Sequence, residues 1–454
     1  MLLKHYYVEK IAHSSYLLAG EKHCAIVDPS RDVDLYIDEA KKLGLKITHI
    51  LETHLHADFV SGHLELSKRT GATIYMPGSV EMSFDCVSVK EGDEFQLEDL
   101  IIKVLDTPGH TPEHISYVVT DSKSGDEPRG IFVGDTLFVG DVGRPDLFPN
   151  RADELARKLY DSLFNKILTL PDSCEVYPAH GAGSLCGKSM GAKYTSTIGY
   201  ERKFNPSLQI KDIEEFVKAL TEDMPEAPDH FARSSQINAD GPKPLYELPE
   251  PSMLSPQEFY QQCVQDDYIV VDVRSYHAFG GLHIPNAYSL DATGNLPTFA
   301  GWILPPDKKI LMVAESEAAV KEAVLWFQRV GMDNTVGWLN GGLHSWAAAG
   351  LPVDHIQQIS PKDFEEIDDR DQITVIDGRD KLAYEAEHIP GALNLPAPEL
   401  RQRYNELDLE KEIIVLCNSG VRSNMGISIL KQKGFNKVMN LAGGMQGYLA
   451  YKNK

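Results

Sequence analysis

Residues 53–59 read THLHADF, placing two histidines and an aspartate (His54, His56 and Asp58) at alternate positions in one short run. Imidazole nitrogens and a carboxylate at this spacing suit a divalent metal. Three further segments have the same character: TPGH ends in His110, VGDTLF carries Asp135, and YPAH ends in His180. Each of the four follows an apolar run of strand type. Loops at strand ends are held in register by their sheet, so side chains on them can converge on one point. A lone histidine is more often a hydrogen-bonded surface residue, but four such loops together point to a metal centre. The first run closes on Phe59, whose ring cannot ligate.

A second chemistry sits near the C-terminus. The apolar run EIIVLC ends at Cys417, and CNSGVRS leads into MGISILKQKG, which reads as a helix. A cysteine in a tight loop at a helix N-terminus faces backbone N–H groups and the positive end of the helix dipole, which favour a thiolate or a bound persulfide. Gly420 lets the loop fold back, and Arg422 adds positive charge. Only four residues separate Cys417 from Arg422, a smaller cradle than the five-residue loop that holds phosphate, and one suited to sulfur. Cys24, Cys86, Cys174 and Cys263 read as small packing residues.

The elements that must position these groups are legible as well. ITHILETH, ATIYM, IIKVLDT, ISYVVT and GIFVGD read as strands. VDLYIDEAKKLG reads as a helix stopped at Gly44, and RADELARKLYDSLFNKIL as a helix capped by Asn150. Strands and helices alternate irregularly here, which predicts packed sheets with helices outside. The C-terminal half contains a repeat: LSPQEF and VVDVRSYHAFGGLHIPNAYSL recur as ISPKDF and VIDGRDKLAYEAEHIPGALNL, and the copies close on LNGGLHSW and LAGGMQGY. Each copy opens with Ser-Pro, a helix N-cap followed by proline in the first turn. β-Branched runs alternating with helical stretches predict a parallel sheet flanked by helices. In the first copy Ala314 and Ala319 stand where Cys417 and Arg422 do in the second, so that copy should be inactive and serve as a spacer, docking surface or dimerisation module of a homo-oligomer. Pro225, Pro228, Pro242, Pro244, Pro249 and Pro251 mark the stretch before the repeat as a linker without regular structure. The domains are then 1–245, 246–355 and 356–454.

With 44 basic and 67 acidic residues the formal net charge is −23, which argues against a nucleic-acid partner. No run approaches a membrane span or the apolar core of a signal peptide, and the six cysteines are scattered. A cytoplasmic enzyme with reduced thiols and no membrane partner is expected.

Residues 1–245 resemble the metallo-β-lactamase superfamily, whose pattern is HxHxDH followed by a distant His, an Asp and a last His. TPGHTPEHISYV, GDTLFVGDVGRPDL and STIGYERKFNP are similar to its persulfide dioxygenase branch, and the repeated modules, with HIPGA and LAGG, resemble rhodanese sulfurtransferase domains. The resemblance implies an α/β protein: an αββα sandwich followed by two rhodanese-like domains with parallel sheets. It further implies one Fe(II) per chain on His54, His110 and Asp135, with zinc as a substitute; spacing alone does not choose these over His56. Phe59 replaces the last histidine of HxHxDH and so weakens a second metal site. His56, Asp58 and His180 then orient ligands or a water, or contribute to that second site. Arg144 either positions an acidic substrate or orders its loop, and Cys186 either handles persulfide or lines the pocket. The implied reaction consumes a low-molecular-weight thiol persulfide and O₂ and gives sulfite and thiol. Cys417 as nucleophile, aided by Arg422, forms or uses thiosulfate in sulfide detoxification. The alternatives are a two-metal thioester hydrolase of the glyoxalase II kind and a sulfur-carrier protein with a structural metal.

Overall fold

The computed structural model describes residues 1–188, 190–222, 224, 227–367 and 372–453. The chain divides into two compact units, Met1–Leu248 with Gln328–Gly331, and Pro249–Phe327 with Met332–Lys454.

The first unit is built on two six-stranded sheets. One runs in the order Leu2–Val8, His13–Ala19, His23–Val27, Lys46–Leu51, Thr73–Pro77, Val87–Val89. Its first three strands form an antiparallel meander and the rest add in parallel. The other runs Ser196–Thr197, Glu175–Pro178, Pro128–Gly134, Ile115–Asp121, Leu100–Asp106, Glu94–Leu97. Because side chains alternate along a strand, each sheet offers two apolar faces. Tyr16, Leu18, Ala25, Val27 and Leu51 of the first sheet meet Ile102, Val104, Tyr117, Val119 and Phe132 of the second in a central core. The opposite faces carry Leu17, Cys24 and Ile26 against Tyr36 and Leu66, and Ile131, Val133 and Val176 against Leu159, Phe216 and Leu220. Those partners belong to helices Asp34–Leu43, His63–Thr70, Ala152–Asp161 and Ile213–Thr221. The result is the expected αββα sandwich.

The second unit contains two parallel five-stranded sheets of identical order. They are Ser252–Leu254, Thr335–Leu339, Lys309–Val313, Tyr268–Asp272, Tyr288–Ser289, and Gln357–Ile359, Val438–Leu441, Glu412–Leu416, Ile373–Asp377, Leu393–Asn394. Ser255 and Ser360 cap the opening helices, Ser255 in a reciprocal capping box with Glu258.

Two expectations are corrected. Asn150 does not cap the helix after it: Arg151 occupies that position, no side chain caps the helix, and Asn150 takes a left-handed conformation (φ 62°). The proline-rich stretch is not without regular structure, since His230–Asp240 is a helix between its prolines. Its buried His230, Phe231, Ser234 and Asn238 follow helical spacing, but three of the four are polar, which hid the pattern. Pro225 lies outside the described residues.

Candidate metal centre and sulfur site

The THLHADF loop leaves strand Lys46–Leu51 beside Asp28, which follows strand His23–Val27. Asp28 Oδ1 accepts hydrogen bonds from the Thr53 amide at 2.8 Å and the Thr53 hydroxyl at 3.2 Å. With its proton given to Asp28, the Thr53 hydroxyl accepts from His54 Nδ1 at 2.8 Å, leaving His54 Nε2 as a free lone pair. His110 is fixed in the same sense: Nδ1 donates to the Arg144 carbonyl at 2.9 Å. The Asp135 amide donates to His114 Nε2 at 3.0 Å, and the other His114 nitrogen lies 2.9 Å from the Thr107 hydroxyl. Burial, then His110, pushes His114 down to about 3, so it stays a neutral acceptor. Gly134 permits this closeness. Its φ is +49°, and a Cβ there would stand 2.4 Å from His114 Nε2 and 2.5 Å from Thr53 Oγ1.

These restraints bring His54, His110 and Asp135 together. Asp135 Oδ2 is 3.4 Å from His110 Nε2 and 3.9 Å from His54 Nε2, and all three atoms are buried without a hydrogen-bond partner. Burial lowers both imidazoles, His54 well below its ordinary value. Burial opposes ionisation of Asp135, but His180, with His110 and His54, outweighs it and holds the carboxyl far below its usual range. Two neutral imidazoles and an ionised carboxylate are the protonation states a metal requires, and an orphaned buried donor is costly without one. The donor set fits a divalent metal.

The other residues singled out from the sequence fall around this triad. His56 Nε2 faces Asp28 Oδ1 at 3.2 Å and Glu52 Oε2 at 3.4 Å, and His63 Nδ1 lies 3.4 Å from Glu52 Oε1. Burial disfavours the charged form of Glu52, but His56 and His63 outweigh it and bring its carboxyl to about 2. His180 bridges Asp135 Oδ1 at 2.7 Å and Asp58 Oδ2 at 2.8 Å; the two carboxylates overcome burial and raise it to about 10. Cys186 gathers with Asp58 and His180, and burial, then Asp58 and Asp135, push its thiol well above its ordinary value. Phe59 is fully buried, its ring centred 3.9 Å from that of His13 and 4.4 Å from that of His56. Arg144 is buried and spends its guanidinium on both oxygens of Asp146 and on the Leu185 carbonyl, so it ties the His110 and Cys186 loops.

Asp28, Glu52 and Asn238 were not singled out from the sequence. Asn238 donates through Nδ2 to the His56 and Phe59 carbonyls, each at 2.9 Å, and accepts from the Ser61 amide at 2.8 Å. Asn238→Ala strands those three groups, and should destabilise the N-terminal unit by about 2–3 kcal/mol. The check is a thermal unfolding midpoint read with the metal loaded and removed. A cost below about 0.5 kcal/mol would show that the loop is held by other means.

In the second unit Cys417 is buried at the end of strand Glu412–Leu416 and precedes helix Val421–Gln432. Gly420, at φ +132°, turns its amide onto Cys417 Sγ at 3.2 Å. A Cβ on Gly420 would lie 2.4 Å from the ring of Tyr276, a residue of the first copy. Arg422 pairs with Asp380 at 3.2 Å and remains partly exposed. Ala314 is buried at the matching strand end of the first copy.

Comparison with known proteins agrees with this architecture. Residues 9–85 match the metallo-beta-lactamase superfamily, and 255–349 and 360–451 each match a rhodanese-like domain. The chain is 29% identical over 227 residues to mouse mitochondrial persulfide dioxygenase ETHE1, covering 48% of this chain and 80% of the relative. It is 34% identical to a hydroxyacylglutathione hydrolase of Rhizobium etli, covering 41% of this chain and 78% of the relative. A crystal structure of a Staphylococcus aureus metallo-beta-lactamase is 34% identical, with a TM-score of 0.68, over 74% of this chain and 99% of that one. The αββα sandwich, its cluster of buried donors and these matches agree: the chain belongs to the metallo-beta-lactamase superfamily and joins that fold to two rhodanese-like domains.

Proposed function

We propose that the N-terminal domain is an iron-dependent persulfide dioxygenase and that the second rhodanese-like copy is its sulfurtransferase partner. The dioxygenase consumes a low-molecular-weight thiol persulfide, O₂ and water, and releases thiol, sulfite and two protons. The observation that carries the reading is the trio of orphaned buried atoms, His54 Nε2, His110 Nε2 and Asp135 Oδ2. Two histidines and one carboxylate are the donor set of non-haem Fe(II) oxygenases, in which the bound ion supplies oxygen activation with positions left for O₂ and substrate. Thr53 and the Arg144 carbonyl fix the two imidazole tautomers, and His180 and His114 hold Asp135. Ala57, Phe138, Phe231 and Cys186 form an apolar cluster beside Asp58 and His180, which keeps bulk water from the reacting sulfur.

Similarity to persulfide dioxygenases supports this substrate class. Cys417, cradled by Gly420 with Arg422 close by, carries sulfane sulfur as a persulfide. It either passes that sulfur to sulfite, making thiosulfate, or draws it from thiosulfate. Both steps serve sulfide detoxification, in a cytoplasm that keeps the six free cysteines reduced. Protein purified anaerobically and supplied with glutathione or coenzyme A persulfide should take up O₂ and release sulfite or thiosulfate. No uptake with iron loaded would end the reading.

A hydrolase reading draws on the similarity to hydroxyacylglutathione hydrolases and requires two metals. Metal analysis separates the two: one iron per chain supports the dioxygenase, two zincs the hydrolase. Phe59→His should raise the metal content from one to two equivalents. A count that stays at one would show that the phenyl ring is not what closes the second position.

A further inference from the structure

The two rhodanese-like copies build one fold with a cysteine and once without, which allows a comparison inside a single chain. Strands Lys309–Val313 and Glu412–Leu416 hold the same central place in their sheets. Met312 is in register with Trp338, and its counterpart Val415 with Asn440. Extending the match of Ala314 with Cys417 into the next helix sets Val320 against Ser423. The cysteine-bearing copy therefore buries a hydroxyl and an amide where the other has a valine and a tryptophan, and Val320 is buried as Ser423 is. The fold does not need polar groups at these places, and burying them costs free energy unless each is bonded.

Their contacts lead to the sulfur. Ser423 Oγ lies 3.6 Å from Cys417 Sγ, donates to Asn440 Oδ1 at 2.5 Å and lies 3.0 Å from the Gly420 carbonyl. Asn440 Nδ2 donates to Gln358 Oε1 at 2.7 Å. We propose that Ser423 is a catalytic residue whose hydroxyl answers the charge on Cys417, and that Asn440 is the positioning residue that sets which way that hydroxyl points. The inference rests on Cys417 being the sulfur carrier. With Cys417 protonated, its S–H faces a Ser423 lone pair and the hydroxyl proton goes to Asn440 Oδ1. With the sulfur anionic, the Asn440 and Gln358 amides turn together, so that Gln358 Nε2 donates to Asn440 Oδ1, Asn440 Nδ2 faces Ser423 and the hydroxyl proton goes to sulfur.

Charge changes place in the transfer itself. The Cys417 thiolate attacks the outer sulfur of thiosulfate; a Cys417–sulfur bond forms, the sulfur–sulfur bond of thiosulfate breaks, and sulfite leaves with the bonding pair. In reverse, sulfite attacks the terminal sulfur of the persulfide and Cys417 Sγ leaves as thiolate. Atoms and charge balance in both directions and no external oxidant enters. The Ser423 hydroxyl and the Gly420 amide lie on the atom whose negative charge grows in that leaving step. Among the described residues, the charged or titratable groups around Cys417 are Arg379, gripped by Asp377; Arg422, paired with Asp380; and Tyr276. Substitution at 423 leaves all of them in place.

The test is iodoacetamide alkylation of Cys417 in the full chain, followed across pH by mass spectrometry of its peptide, together with thiosulfate sulfurtransfer. Ser423→Ala should move the alkylation midpoint up by about one pH unit and slow alkylation at neutral pH about tenfold. It should lower kcat for sulfurtransfer by a similar factor at unchanged KM. Asn440→Asp, which offers only acceptors, should move the midpoint in the same direction. Ser423→Thr should restore the wild-type profile, while Ser423→Val reproduces the first copy's own packing and should fold without restoring it. A wild-type alkylation profile in Ser423→Ala would overturn the inference, as would rescue by valine equal to that by threonine. If alkylation shifts as expected but wild-type protein transfers no sulfur, the sulfurtransferase reading falls and the Ser423 contact stands.

Discussion

On the dioxygenase reading, a His110→Ala variant should lose the bound metal and, with it, oxygen uptake on glutathione persulfide by a factor of about 100 or more. The size follows from what is left. His54 Nε2 and Asp135 Oδ2, 3.9 Å apart, would be the only converging donors of the triad. Two protein donors do not hold a ferrous ion against solvent and competing chelators in the way three do. The fold should survive, because the one hydrogen bond lost is that from His110 Nδ1 to the Arg144 carbonyl, worth about 1 kcal/mol. Iron per chain measured by mass spectrometry, beside oxygen uptake and thiosulfate sulfurtransfer on the same preparation, checks the prediction. Retention of a full equivalent of iron would remove His110 from the ligand set. Loss of sulfurtransfer in parallel would mean that the variant had damaged more than the metal centre.

The converse experiment is Cys417→Ser, which should lower sulfurtransfer by a factor of about a thousand or more while oxygen uptake with small persulfides stays within about twofold. Serine keeps the shape of the loop and the approach of the Gly420 amide. It does not keep the nucleophile, because a hydroxyl is not ionised where a thiol is and does not form a persulfide. The buried Ala314 at the same strand end in the first copy shows that this fold tolerates the loss of sulfur there. Equal loss of both activities would show that the two sites do not work separately, and that oxygen chemistry draws its substrate through Cys417.

Much of this was legible in the sequence because it rests on local pattern. The repeat, the Ser-Pro helix starts, the helix ending at Gly44 and the substitution of Cys417 by Ala314 are all short-range signals, and the structure shows the two copies with the same strand order. The four metal-type loops were visible for the same reason. What spacing did not decide was which histidine of THLHADF turns to Asp135. That is settled across the sheet: Asp28, brought beside the loop by strand pairing, takes the Thr53 protons and faces His56 Nε2, while Thr53 turns His54 the other way. No window around residue 54 contains Asp28. The helix His230–Asp240 was missed because its buried face is largely polar and prolines flank it. Asn238 has no local signature at all, since its partners lie about 180 positions earlier.

That last separation has a consequence for biosynthesis. The ribosome makes the THLHADF segment early, but the side chain that fastens its carbonyls belongs to helix His230–Asp240, made much later. A nascent chain lacking residues 230–240 would display the histidines and aspartates on an untethered loop, open to whatever cation is most abundant. Selective metal capture should therefore follow synthesis of helix His230–Asp240, and any shortened version ending before Asn238 should select its metal poorly.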